Sequence, residues 1–492
     1  MRKPQTHALA CGEIDIAQIK IDPRSRDDIP AVLKGLQLIY TQTDTREKLF
    51  ELLAQSLAEK TNLRTGRPGM ELWRIFVLAT LKQGLGCDWD RLQELAHEHR
   101  TLRQMLGHTD NDPTRYPMQT LIDNVSLLSP QVLVEINQLV VETGHGVVKK
   151  NPGDVLRGRC DSFVVETDVH YPTDTNLLWD AMRVVLRETG RACEHYGVGG
   201  WRQWQYHSHC VKRLFRQTQS LRYSNSKDPE QQAHKRHQVH QASRDYLDQA
   251  AGLLNKAQAS LDALSACGAL AEVATIEHFM ADAWRQIDQI RRRVLQGETI
   301  PHQEKVLSLF EPHTRWLCKG KAGVAVELGV AVCVLEDHHQ FILHHRILWQ
   351  ETDDQVAVAM VKDTQAHFPD LRQCSFDRAF HSPDNRKALD QLLDDNILPK
   401  KGRLSEVDKA REHREVFVAA RRQHAAVESC INNLEQRGLN RCRAYGKQGF
   451  ARHVGLAIVA ANVHRIGLLL QRKEKARLAR QARRETRLAL AA

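Results

Sequence analysis

Apolar residues recur at three- and four-residue spacing through residues 44–145, in TREKLFELLAQSLAEKT, MELWRIFVLATLKQGL and DWDRLQELAHEHRTLRQMLG. That is the period of an amphipathic helix. Gly66-Arg67-Pro68 and the pair Gly84 and Gly86 punctuate the runs, so a compact helical domain is predicted here. A helix-turn-helix and a helical scaffold without DNA contacts are both open to it. The period then changes. CDSFVVET (160–167) alternates and is rich in β-branched residues, which predicts a strand. From about Asn176 to Glu304 helix-like patterning returns, unusually polar in KDPEQQAHKRHQVHQASRDYLDQ and IDQIRRRVLQGE. This is a long hairpin of helices or a bundle with much solvated surface, and it holds no strong strand signal.

Strand patterns resume in GVAVELGVAVCVLE and QFILHHRILWQ, separated by a polar turn around Asp337, His338 and His339, an antiparallel hairpin. DDQVAVAMVKDTQAHF predicts a helix, LRQCSF a short strand closing at Asp377, and SPDN a helix start with Ser382 as N-cap. RKALDQLLDDN continues that helix, and AAVESCINNLEQRGL forms another with Val427, Ile431 and Leu434 on one face. The tail from Gln471, QRKEKARLARQARRETRLALAA, is a basic amphipathic helix or a disordered arm. No internal repeat is visible.

Composition changes this picture in two ways. The 492 residues carry a net charge of +10, which favours an anionic partner, most simply a nucleic-acid backbone. A merely basic enzyme is the alternative reading. Eleven cysteines lie scattered with no C-x-x-C pair, as expected of reduced thiols in a cytoplasm. The N-terminal MRKPQTHALACGEIDI has no apolar run of signal-peptide length. The longest apolar segment, VGLAIVAANVHRIGLLL, contains Asn462, His464 and Arg465 and so reads as a buried helix rather than a membrane span. HSHC (207–210) lacks a second ligand pair at zinc spacing and reads as a polar helical face.

The acids carry the candidate chemistry. Phosphodiester cleavage with two metal ions needs hard oxygen ligands holding ions about 4 Å apart. Strand ends fix such ligands well. Converging carboxylates repel, so a site of this kind binds metal or stays partly protonated. Asp161 lies on the predicted strand, sharing a face with Phe163 and Val165, while Ser162, Val164 and Glu166 take the other. Either acid is costly there without a cation, and parity alone does not choose between them. Asp168 and Asp174 fall at the strand exit, where Pro172 and Thr173 signal a loop, and fit turn or N-cap aspartates. Asp377 closes a strand before a loop and a helix, a common position for a ligand or for a loop-capping acid. Glu428 lies beside a helical apolar stripe with Glu435 seven residues later on much the same face. Only the company of the two aspartates distinguishes it from a solvated glutamate.

With the helical block set aside, the order is strand, strand, strand, helix, strand, helix, helix. That order matches an RNase H-like core, predicting an α/β fold with a mixed sheet flanked by helices, a helical N-terminal domain and a large helical insertion after the first strand. DSFVVETDVHYPTDTNLLWDAMR resembles the first catalytic block of bacterial insertion-sequence DDE transposases. LFEPHTRWLCKGKAGVAVELG is similar to their second-strand entry, SFDRAFHSPDN to their second aspartate block and AVESCINNLEQRGLNRCR to their glutamate block. The resemblance runs from about residue 40 to 470 and is strongest to ISNCY-like members.

This resemblance implies catalytic, metal-binding roles for Asp161, Asp377 and Glu428, and two Mg2+ ions, with Mn2+ as a substitute. It implies phosphate contacts by Lys319, Lys321, Arg378, Arg421 and Arg422, for each of which a solvated surface charge is the alternative. Asp168 falls where the family often has asparagine, against a ligand role. Phe163 and His424 depart from the family pattern, the latter standing where related transposases often carry arginine. The implied activity is metal-dependent DNA cleavage followed by strand transfer, on transposon inverted repeats and target duplex, by a homodimer in a bacterial cytoplasm, nucleoid-associated when on DNA. The expected organisation is a DNA-binding or dimerisation domain (1–150), the first part of the core (151–176), the insertion (177–308), the rest of the core (309–470) and a basic tail (471–492). The acids alone do not separate this from an RNase H-like nuclease that never joins, whereas the presence of all three weighs against an inactive DNA-binding relic.

Overall fold

Phe163, Val164 and Val165 do form a strand, β1 (Leu156–Thr167), which begins four residues before the β-branched run, at Leu156 rather than Cys160. The computed structural model describes residues 12–58, 69–221, 225–318 and 326–491. Within it the chain divides into two units, Met1–Asp168 with Leu317–Ala492, and Val169–Trp316.

The first unit opens with helices α1 (Asp28–Thr41), α2 (Thr43–Ala58), α3 (Leu72–Gly84), α4 (Trp89–Glu98), α5 (Arg100–Met105), α6 (Met118–Val125) and α7 (Pro130–Val148), ahead of β1. The second unit is helical throughout its long elements, α8 (Asp174–Tyr196), α9 (Trp204–Ser220), α10 (Pro229–Ala266) and α11 (Leu270–Ile290). It has a core of its own, in which Leu178, Val185, Tyr246, Leu254 and Ile276 are fully buried. The Trp201 indole N–H donates to Ser260 Oγ at 2.9 Å.

After the second unit's long helices come β2 (Arg315–Cys318), β3 (Val326–Asp337), β4 (Ile342–Leu348), α12 (Asp353–His367), β5 (Leu371–Phe376), α13 (Pro383–Leu392) and β6 (Asp395–Ile397). Then follow α14 (Glu406–Glu412), α15 (Glu415–His424), α16 (Ala426–Leu434), β7 (Arg441–Cys442) and α17 (Gly446–Ala491). The sheet is mixed. β1 pairs antiparallel with β3, and β3 antiparallel with β4. On its other side β1 runs parallel to β5, and β5 parallel to β6.

The β3–β4 hairpin closes where the sequence predicts, and Asp337 explains the tightness of its turn. Its Oδ1 accepts the His339 and Phe341 amides at 2.9 Å each, while its Oδ2 meets His145 Nε2 at 2.7 Å. Ser382 caps α13 by accepting the Asn385 amide.

Both sheet faces are covered. On one, Leu156, Cys160, Cys333 and Leu335 join a single apolar cluster with α1–α7, α12 and α13. On the other, Phe163, Val165, Val330, Val332 and Val334 meet Cys430 and Leu434 of α16 and Phe450, Val454 and Ile458 of α17. α17 enters both clusters, since Leu456, Val459, Val463 and Ile466 face the N-terminal helices. It is the one helix among the described residues long and apolar enough to cross a membrane, but 72% of its apolar window is buried inside the fold.

The polar residues in that helix have partners that account for them. Asn462 Oδ1 accepts the Ile342 amide at 2.9 Å, and its Nδ2 donates to Ile342 O at 2.9 Å and Asn137 Oδ1 at 2.8 Å. His464 contacts Arg437 and Asp28, and Arg465 donates to His339 O. Among the described residues every cysteine is free.

α1 and α17 cross at backbone contact. A Cβ added at Gly467 would lie 1.8 Å from Ala31 O, and one at Gly35 would lie 2.2 Å from Val463 O. Alanine at a helix interior normally gains about 1 kcal/mol over glycine. Here the clash is with main chain, so Gly467→Ala is expected to lose stability by roughly 2 kcal/mol or more in denaturant unfolding. Gly252→Ala in α10, where nothing lies within 4 Å of the new Cβ, should be neutral or stabilising. Equal effects at the two positions would refute the close crossing.

Candidate active site

Asp161 and Asp377 are brought together by strand register. In the parallel pair β1–β5, Cys160 stands opposite Phe376, and the next residue on each chain is an aspartate. Asp377 is still extended, with φ −76° and ψ 162°, so the two α-carbons are neighbours at about the 4.8 Å spacing of paired strands. Parity sends both side chains to the face opposite Cys160 and Phe376, the face under α16. Glu428 lies in the first turn of α16, between the buried Val427 and Cys430.

The field at Asp161 reports who its neighbours are. Its pKa is raised to about 6, chiefly by burial, with further upward pushes from the charges of Asp377, Asp353 and Glu428, against the stabilising hydrogen bond from the Ser162 amide. That bond reaches Asp161 Oδ1 at 2.8 Å. Asp161 is half-buried, whereas Asp377 and Glu428 are exposed at the rim. Asp377 Oδ1 accepts the Arg378 amide at 2.7 Å. All three anticipated acids therefore share one electrostatic neighbourhood.

Asp353 was not anticipated. It begins α12 beside Asp354, and an acidic pair at a helix start looks like ordinary N-terminal dipole compensation. Only the topology, which carries α12 back past β1, reveals it. His424, at the end of α15, also belongs to the region. Its Nδ1 meets Ser375 Oγ at 3.0 Å, and burial lowers its pKa against upward pulls from Asp377 and Glu428. Arg159 on β1 donates to Glu336 Oε2 at 2.8 Å and to Asp337 O at 2.9 Å.

The remaining acids near β1 have cationic partners elsewhere. Asp168 pairs with Arg441 at 3.2 Å. Within the second unit, Asp174 pairs with Arg293 at 2.8 Å, and Asp180 with His170 at 2.6 Å and Arg183 at 3.1 Å. Glu166 takes the opposite face from Asp161, in a cavity of about 880 Å³ that Lys82, Arg441, Arg443 and Glu435 also line. Of the candidate phosphate contacts, Arg378, Arg421 and Arg422 are exposed, with Arg421 lying 3.5 Å from Glu412. Lys319 and Lys321 lie outside the described residues.

The donor set suits a hard divalent cation, since carboxylate oxygens are its natural ligands. A half-buried aspartate whose ionisation is opposed by three other acids is also a place where positive charge is stabilising. Among the described residues, however, no three His, Cys, Asp or Glu side chains stand ready to hold one ion.

Residues 304–463 match the transposase DDE domain. The matched segment contains β2 to β7, Asp377 and Glu428, and it begins after the second unit's long helices, so Asp161 on β1 precedes it. The match supports transposase function, a DNA substrate and the divalent ions that such enzymes generally use. No curated protein and no solved structure matches the chain.

The burial that fixes Asp161 in place also works against its ionised form. Its folded pKa exceeds the ordinary 3.8, so ionisation destabilises the fold. The penalty is absent below pH 3.8, grows as pH rises, and is complete above about pH 6. Asp161→Asn keeps an acceptor for the Ser162 amide and removes the charge. It is expected to be roughly 1–3 kcal/mol more stable than the wild type at pH 7.5, with the gap closing near pH 4 and narrowing when Mg2+ is added. Thermal denaturation across that range checks the sign. A variant less stable than wild type at pH 7.5 without metal would contradict the electrostatic account.

Proposed function

We propose that the protein is a bacterial insertion-sequence DDE transposase, ISNCY-like, that cuts the ends of its element and joins them to target DNA. The observation that supports this reading is the Cys160–Phe376 pairing of β1 and β5, one residue before Asp161 and Asp377, together with the charges of Asp377 and Glu428 acting on Asp161, inside or just ahead of a match to the transposase DDE domain. The strand arrangement supports an RNase H-like core, with β4, β3 and β1 antiparallel and β1, β5 and β6 parallel.

Asp161, Asp377 and Glu428 are the residues that would hold Mg2+, with Mn2+ as a substitute. When bound, two such ions supply activation of the attacking oxygen and stabilisation of the leaving one. The chain's own contribution is placement. β1 and β5 fix two carboxylates on a rigid sheet, and α16 adds the third from a packed helix. Arg378, Arg421 and Arg422, with Lys319 and Lys321, are proposed to contact phosphates, which positions the duplex without reading its sequence. His424, held by Ser375, is placed to orient rather than to carry charge, because burial favours its neutral form. Residues 1–150 and 177–308 are proposed to recognise inverted repeats or to pair two copies, since joining two ends calls for a homodimer.

Asp161→Ala, Asp377→Ala and Glu428→Ala are each expected to abolish cleavage while leaving end binding nearly intact. Supplied with a pre-cut 3′-hydroxyl end, Mg2+ and target duplex, the wild type should yield strand-transfer product. Cleavage without any joining would favour an RNase H-like nuclease instead. Binding without either reaction would favour an inactive relic. Normal cutting by Asp161→Ala would remove the assignment of the site itself.

A further inference from the structure

α17 does not end with the core it organises. Up to Gln471 it is largely buried, and from Lys475 to Thr486 nearly every described side chain is exposed. The exposed stretch is a continuation of the core helix, and its root is fixed. The Lys473 ammonium donates to Val147 O at the end of α7, and Glu474 pairs with Lys34 of α1 at 3.8 Å. Over its described residues the basic tail is thus helical.

Its charges are sorted by face. At 100° per residue, Arg472, Lys473, Arg477, Arg480, Arg483 and Arg484 fall within an arc of about 140°, with Lys475 about 60° outside it. Glu474, Gln481 and Glu485 fall on the other side, and Gln481 donates to Glu485 at 3.0 Å. From Arg472 to Arg484 the stripe extends about 18 Å at 1.5 Å per residue. Among the described residues, Arg477, Arg480, Arg483 and Arg484 make no ion pair with the protein, and all four are exposed. The one large apolar side chain on the exposed stretch from Lys475 to Thr486 is Leu478, itself 39% exposed. Among the described residues from Lys475 to Thr486 there is no apolar row for a coiled-coil partner or for insertion into a bilayer.

We propose that this arm is a duplex-DNA clamp, its arginine stripe lying along the phosphate backbone away from the carboxylate site. The inference rests on the DNA-substrate reading above. Charge complementarity selects the occupant. A one-signed stripe without apolar anchors fits a polyanion, and the planar guanidinium matches phosphate oxygens better than an ammonium does. A clamp made only of backbone contacts gives affinity that is independent of sequence and steeply dependent on salt.

The test uses the full chain carrying Arg477→Gln, Arg480→Gln, Arg483→Gln and Arg484→Gln together, glutamine being a comparable helix former. A second variant is truncated after Glu474, which leaves the anchored root in place. Binding to a fluorescent duplex is measured over a NaCl series without Mg2+. Four lost phosphate contacts should flatten the slope of log affinity against log salt by about 3.6, at about 0.9 for each. Inverted-repeat and unrelated duplexes should weaken by the same factor, and both variants should melt as the wild type does. An unchanged slope, with wild type binding DNA, would overturn the clamp and leave the functional reading standing. A changed oligomeric state with unchanged DNA binding would assign the stripe to a second copy, and selective loss of anionic-vesicle binding would assign it to a membrane surface. Either result overturns the proposal. Failure of the wild type to bind any duplex would remove both readings, which separates that case from the others.

Discussion

Cys160 pairs with Phe376 across β1 and β5, and an aspartate follows on each strand. The candidate site depends on that register. Sliding one strand by a single residue would turn one aspartate towards the opposite face, into the apolar cluster where Cys160 and Phe376 now lie. The register is held by what surrounds it. β1 pairs with β3 from Gly158 to Glu166 on its other side, and Phe163 and Val165 are buried under α16 and α17. The apolar neighbours of Asp161 therefore fix its position, and by excluding water they raise the cost of its charge. The same packing that makes the carboxylate precise also makes it hungry for a cation.

α17 couples the layers around this sheet. One of its faces closes the carboxylate side, another packs on the N-terminal helices, and Asn462 satisfies both backbone polar groups of Ile342 at the start of β4. A buried amide that meets the main chain of a strand edge specifies position more sharply than apolar contact can. The glycines at the α1 crossing act to the same end by allowing main chain to approach main chain. The N-terminal helices thereby share a continuous core with one sheet face, and the floor under β1 is built from residues more than a hundred positions upstream of Asp377.

Much of this was legible in the chain. The β-branched alternation around residue 163, the hairpin about Asp337 and the Ser382 cap each carry their structural signal within a few residues. α1 was missed although its buried Ile29, Val32, Leu33, Leu36 and Ile39 recur at the three- and four-residue spacing of one helical face. β6 and β7, of three and two residues, are too short to alternate, and exist because neighbouring strands accept them. The acids illustrate the same divide. Asp161 was conspicuous because a strand interior disfavours charge. Asp353 was invisible because nothing local distinguishes a helix-start aspartate from one that topology brings beside another acid.

The second unit explains why β1 and Asp161 sit apart from the transposase match. Val169–Trp316 interrupts the chain immediately after β1, and it brings its own buried core centred on Tyr246 and the α8, α10 and α11 contacts. A segment that stabilises itself makes little demand on the sheet it interrupts, and the entropic cost of a longer connection rises only logarithmically. β1 can therefore keep its pairing with β3 and β5 although its neighbours in space are its distant successors in sequence. The continuous stretch from residue 304 onward retains the recognisable pattern, whereas β1, isolated upstream, contributes one strand and one aspartate. What joins β1 to the matched segment is the strand register, whose Cys160–Phe376 pair stands one residue before Asp161 and one before Asp377.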